Sequence, residues 1–210
     1  MNLEKYQQYS RIARGLEEAE LVLKDARIVN VFTEEIIRGD IAIQDGIIAG
    51  IGSFHGKEER DLAGKYVCPG FIDSHLHLES TLVTPAELVT VASRHGTTTF
   101  IVDPHESANV SGLAGIDYIL EQTEAVKANV YVMMPSCVPA TSIDDNGCTL
   151  TAADMAPYLD NSRILGLGEV MDSISVVQGD KGMHDKLELF EGRIRDGHAP
   201  FLEEGDLQAY

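Results

Sequence analysis

The protein has no tryptophan and only three cysteines, Cys68, Cys137 and Cys148. Three widely spaced thiols do not make a disulfide framework, and without a C-x-x-C pair they do not suit a structural zinc site built on paired cysteines. Basic residues are scarce as well, with 16 Lys and Arg against 34 Asp and Glu, a formal charge of −18. The longest basic feature is Arg193-Ile194-Arg195. Nucleic acid and anionic membranes attract clustered Lys and Arg, so neither is expected as a main partner. No apolar run approaches the roughly 18–20 residues that span a bilayer. The opening MNLEKYQQYSRIARGLEEAE lacks the apolar core of a signal peptide, so a cytoplasmic location is expected. Internal repeats and low-complexity segments are absent too.

What is there is the composition of a folded protein, 44% hydrophobic and 24% charged over 210 residues. That length can bury one core or two small ones. It is short of the about 250 residues typical of a complete (β/α)8 barrel.

Three regions follow one another. Residues 1–20 predict a helix, with Leu3, Tyr6, Ile12, Leu16 and Ala19 forming an apolar stripe at helical spacing. Residues 21–66 hold short β-branched runs, and Asp45-Gly46 between the last two is a tight hairpin signal, which predicts a small antiparallel, sandwich-like β unit. From residue 67 the rhythm changes to strand, loop, helix. Strands are expected at 67–72, 97–102, 130–134, 164–170 and, more weakly, 193–198. Helices are expected after Thr84-Pro85-Ala86-Glu87, which reads as a capping box, and over 116–126, 151–159 and 183–190, with another starting at 206. The expected class is α/β: an incomplete (β/α)8 TIM-type barrel over 67–210, about five βα units at roughly 30 residues each.

The polar chemistry collects where these strands end, the rim that carries the active site in parallel α/β barrels. His75-x-His77 is the anchor, because alternate strand residues point the same way and two imidazoles can then reach one metal. Glu169 follows Leu165-Gly166-Leu167-Gly168, where an unpaired buried carboxylate would be costly. A metal would resolve that cost, as would an arginine or a helix N-terminus. His198, in Asp196-Gly197-His198-Ala199-Pro200, is either a fourth ligand or a surface-loop histidine. Glu79, Ser80, His105, Glu106 and Ser136 are candidate substrate contacts, with plain loop polarity the alternative for the charged ones. Asp73 and Asp103 are placed to orient ligand imidazoles. His55, His95 and His184 lie away from strand ends, and Cys137 reads as a structural thiol. Two short motifs fail. His77-Leu78-Glu79 fits half of a zinc-deaminase signature whose P-C-x-x-C half is missing, and Gly166-Leu167-Gly168 lacks the third glycine of a dinucleotide loop.

A β unit followed by PGFIDSHLHLES resembles the amidohydrolase superfamily. HLHLESTLVTP, HGTTTFIVDPHESANV, VMMPSCVPAT, LGLGEVM and DGHAP, in that order over about residues 20–210, resemble more closely its adenine deaminase family. The resemblance implies a barrel with two divalent metal ions, manganese or iron ahead of zinc. His75 and His77 match the first-strand ligands, Glu169 the catalytic carboxylate that bridges the metals, and His198 the fifth-strand ligand. Dihydropyrimidinase-like relatives carry a carboxylated lysine where Glu169 stands. The implied reaction is hydrolysis of adenine to hypoxanthine and ammonia, in purine salvage or adenine catabolism, with a small purine base as partner and a homo-oligomer in full-length form. The family pattern continues with an S-D-H-E motif and a later Asp that lie beyond residue 210. The general acid/base is therefore expected there, and the 210 residues alone are expected not to turn over. Two alternatives stay open: an amidohydrolase acting on another cyclic amide, and an inactive truncated fragment.

Overall fold

The computed structural model describes residues 2–141 and 143–210. It divides into two compact units, Met1–Pro69 and Gly70–Tyr210.

The first unit opens with helix α1, Leu3–Ala13, whose N-terminus is capped by the Asn2 side chain accepting from the Lys5 amide. The helix expected to reach residue 20 stops at Ala13. Gly15 takes φ +69° and its amide bonds back to Ile12, while the Leu16 amide bonds to Arg11, a glycine-terminated end. Strands β1 (Ala19–Asn30), β2 (Glu35–Gln44) and β3 (Ile47–Gly52) pair antiparallel, and Asp45-Gly46 makes the expected tight turn with both residues at positive φ. Strands β4 (Gly56–Asp61) and β5 (Tyr66–Val67) then run parallel to β1. The sheet is thus mixed, where an antiparallel one was expected. Alternating side chains mark a strand but carry no information about its direction. Within the sheet Lys24 Nζ meets Asp40 Oδ2 at 2.5 Å, and Asp40 also accepts the Asp25 and Phe54 amides. Burial works to raise the Asp40 carboxyl, but Lys24 and the two amides outweigh it and hold Asp40 below the usual carboxylate range.

The second unit is a five-stranded parallel sheet in the order β10-β9-β8-β7-β6. Its strands are β6 (Phe71–Leu76), β7 (Thr97–Val102), β8 (Asn129–Pro135), β9 (Ile164–Val170) and β10 (Ile194–Gly197). They form a parallel half-barrel sheet, as expected of an incomplete (β/α)8 barrel. The strand expected over 67–72 proves to be two. Tyr66–Val67 belongs to the first sheet, and the barrel strand begins at Phe71. Pro69, lacking an N–H, separates them.

Helix α2 (Pro85–Ser93) follows β6. Its first residue is proline as expected, but Thr84 makes no side-chain cap bond; the capping box forms instead at Thr151 and Asp154, opening the short α5 (Ala152–Met155). Between β7 and β8 lie α3 (His105–Ser111) and α4 (Leu113–Gln122). Helices α6 (Ser173–Gln178) and α7 (Lys181–Leu189) follow β9, and α8 (Glu204–Ala209) follows β10. The central strands β8 and β9 are buried almost throughout, which is why their sequences read as nearly unbroken apolar runs, while β7 buries Phe100 and Val102. Phe100, Val102, Val132, Met134 and Leu167 are all at most 1% exposed, with Ile116, Met155 and Phe190 of the helical layer packed against the same core. The edge strands are open, with Phe71, Ile72 and Ile194 each more than half exposed.

Candidate metal centre

The functional side chains stand where parallel strands end. His75 is the penultimate residue of β6 and His77 follows the strand, with Nε2 atoms 3.1 Å apart and rings nearly perpendicular. His77 Nδ1 lies 2.7 Å from the Asp103 carbonyl, so Nδ1 carries the proton and donates it there. That leaves the Nε2 lone pair facing inward, the tautomer a metal ligand needs. The Asp103 amide in turn bonds to Leu76, which pins the end of β7 against the end of β6.

Glu169, near the end of β9, is the centre of the cluster, with a side chain 10% exposed. Its Oε2 lies 3.3 Å from His77 Nε2 and 3.7 Å from His75 Nε2, while Oε1 lies 3.1 Å from His198 Nδ1. One carboxylate therefore divides its oxygens between the His75/His77 pair and a histidine following β10. Among the described residues its ion-pair partners within 4 Å are imidazoles alone, with no Lys or Arg. The ligand atoms of His75, His77 and Glu169 lie within 4.8 Å of one another. Imidazole nitrogen with carboxylate oxygen, and no thiolate, is a donor set for manganese, iron or zinc. The residues fit the group that the resemblance implies.

His198 is held from behind. Its amide donates to the Tyr210 hydroxyl, and that hydroxyl donates to the Val170 carbonyl at 2.6 Å. Tyr210 so ties the end of β10 to the end of β9, a role nothing in its sequence context announced.

The second-strand residues crowd the same carboxylate. His105 Nδ1 is 3.4 Å from Glu169 Oε2, and its ring packs edge-on against His77 at 4.6 Å. Glu106 Oε2 is 3.4 Å from His77 Nδ1, and Ser80 Oγ donates to Glu106 Oε1. Glu79 accepts the Ser107 amide. Burial, reinforced by neighbouring Glu106, pushes the Glu79 carboxyl up to about 7. Glu106 stays below its ordinary range; burial opposes this, but the Glu79 hydrogen bond and the imidazoles of His105 and His77 prevail. Glu79, Ser80 and Glu106 line an open cleft with Leu82, Val110 and Tyr118.

Two orienting roles fall elsewhere than expected. Asp73 bonds the His75 amide and not an imidazole, and the carboxylate beside His75 Nδ1 is Asp196, at 3.7 Å. Asp103 orients His77 through its backbone carbonyl. Ser136 is 1% exposed, and its hydroxyl donates to the Glu169 carbonyl at 2.7 Å. Its neighbour Cys137 is buried and accepts the Met171 and Asp172 amides on Sγ, at 3.1 and 3.2 Å. Lys186 of α7 donates to the Ser136 carbonyl at 2.6 Å. These bonds fasten the end of β8 to both sides of Glu169. Lys186 carried a signal that sequence reasoning passed over, since it shares a helical stripe with buried Met183 and Phe190.

Comparison with known proteins shows the chain's family. The chain is 60% identical over 196 residues to the adenine deaminase of Desulfitobacterium hafniense (strain Y51), covering 93% of this chain and 34% of that protein. It is 50% identical over 200 residues to the adenine deaminase of Clostridium acetobutylicum, covering 94% of this chain and 35% of that one. The chain thus spans about a third of the length of the curated relatives it matches. Among solved structures, N-acyl-D-glutamate deacylase from Bordetella bronchiseptica, complexed with zinc and a phosphonate inhibitor, aligns with TM-score 0.49 and 20% identity over 74% of this chain and 39% of that one. The profile of the Amidohydrolase family matches residues 66–204, which include all four histidine and glutamate positions of the cluster. By that match the chain belongs to the amidohydrolase family.

Proposed function

We propose that this chain builds the metal-binding rim of a hydrolytic adenine deaminase, with manganese or iron as the working metals ahead of zinc. The observation that carries the reading is Glu169, a buried carboxylate that offers one oxygen to His75 and His77 and the other to His198. Such a carboxylate suits a bridge between two cations. His75 and His77 would hold one ion and His198 the other.

Hydrolytic deamination adds water at C6 of adenine and releases the amino group as ammonia, leaving hypoxanthine. When bound, the divalent ions supply the Lewis acidity that brings the pKa of a water to near neutral. Glu79 keeps a proton to near neutral pH and, from the cleft it lines, can donate it to a purine nitrogen. Ser80 and Glu106 offer polar contacts to the ring edge from the same cleft. His105 and Ser136 face Glu169 and its carbonyl, so we assign both to holding the centre, not to substrate. The similarity to curated adenine deaminases supports the choice of substrate.

A substrate panel separates this from the second reading, an amidohydrolase acting on another cyclic amide. Assayed in the longer protein that contains these residues, loaded with Mn2+, adenine should release ammonia while hydantoin and dihydropyrimidine rings stay closed. Ring opening without adenine turnover would favour the second reading. The 210 residues alone should bind metal but show no turnover.

A further inference from the structure

We infer that Asp103, His105 and Glu169 form an additional divalent-cation position beside the one at His75 and His77. It shares Glu169 with the proposed centre but uses neither of those histidines. Asp103 is 2% exposed, and both its carboxylate oxygens are buried without a hydrogen-bond partner among the described residues. His105 Nδ1 is buried and unpartnered in the same way. Orphaned polar atoms of this kind are rare, because each costs about 1–3 kcal/mol.

The spacing suits a shared cation better than direct bonds. His105 Nδ1 stands 3.7 Å from Asp103 Oδ1 and 3.4 Å from Glu169 Oε2, and the three ligand atoms lie within 4.8 Å of one another. Those separations are too long for hydrogen bonds. They match ligands held at about 2.1 Å from one ion, which sit roughly 3.0–3.5 Å apart.

The backbone makes room for this arrangement. A Cβ at Gly168 would lie 2.1 Å from Asp103 Oδ2, so any other residue at position 168 would displace the carboxylate. Two buried carboxylates and an imidazole that faces both call for a cation between them. The donor set, two oxygens and one nitrogen, selects a first-row divalent metal over calcium.

Mn2+ titration of the 210-residue chain tests this, with free Mn2+ read by electron paramagnetic resonance. Asp103→Asn, which preserves shape, should bind one equivalent fewer than the parent, or bind that equivalent at least tenfold more weakly. His105→Gln should behave the same way, and circular dichroism should find both folded. The double variant His75→Ala/His77→Ala should retain the Asp103-dependent equivalent. If Asp103→Asn and His105→Gln give the parent isotherm, the inference is overturned. If they do so while the double variant loses all Mn2+, it fails although the proposed centre stands. If the double variant loses nothing, the proposed centre fails.

Discussion

Glu169→Gln is expected to abolish divalent-metal binding while making the metal-free protein more stable. The carboxylate is buried, its ion-pair partners within 4 Å are imidazoles, and no Lys or Arg approaches it among the described residues. Without metal the carboxylate has no Lys or Arg as counter-charge among the described residues, in a poorly solvated place. Removing its charge should then add about 1 kcal/mol of stability, at the low end of what relieving an ill-paired buried polar group yields. The same change takes away the anionic oxygens offered to His75 and His77 on one side and His198 on the other, and Mn2+ affinity should fall more than 100-fold. Urea unfolding at pH 8.5 with chelator, paired with Mn2+ titration, reads both effects. A less stable variant with unchanged affinity would mean that Glu169 is an ordinary structural carboxylate. Opposite signs in stability and binding are what a functional site sets against the fold that carries it.

Lys186 should show a different balance, a buried donor that the fold needs. It is 9% exposed, and its ammonium reaches the Ser136 carbonyl. Lys186→Ala leaves that carbonyl without its donor and opens space under α7, so a loss of roughly 3 kcal/mol is expected by denaturant unfolding. The Mn2+ affinity should fall as well, because Ser136 fixes the Glu169 backbone. Burial pushes the Lys186 pKa below its ordinary value, with Asp172, Asp180 and Asp154 opposing. The folded state therefore releases this proton at a lower pH than the unfolded chain does. As pH rises through that window toward about 10.5, the unfolded chain binds more protons and the folded state gains stability. Lys186→Met should remove this rise from the stability–pH curve. An unchanged slope would show that Lys186 is solvated in the folded protein.

Much of the architecture could be read from residue patterns, and the exceptions have physical reasons. The runs at 130–134 and 164–170 are apolar because both faces of β8 and β9 are covered, and they became strands, as did 97–102, where β7 buries Phe100 and Val102. The spacing His75-x-His77 was enough to bring two imidazoles together, and Glu169 was conspicuous as a carboxylate after small and apolar residues. What escaped was set by partners remote in sequence. The parallel course of β4 and β5 depends on how the chain crosses the sheet, which side-chain alternation does not encode. Asp196 came to stand beside His75 and Tyr210 to hold His198 because β10 and β6 bring their ends to the same rim. Asp73 was the nearer aspartate in sequence, yet its reach goes to the backbone, as short Asx turns favour.

The central claim is that Glu169 divides its two oxygens between metal ions held by different histidines. Anomalous diffraction from crystals of the Mn2+-loaded protein, collected at the manganese edge, tests it most directly. The account predicts a peak within coordination distance of His75, His77 and Glu169 Oε2, and density for a second ion against Glu169 Oε1 and His198. Manganese peaks away from Glu169, or none at all at saturating Mn2+, would contradict it.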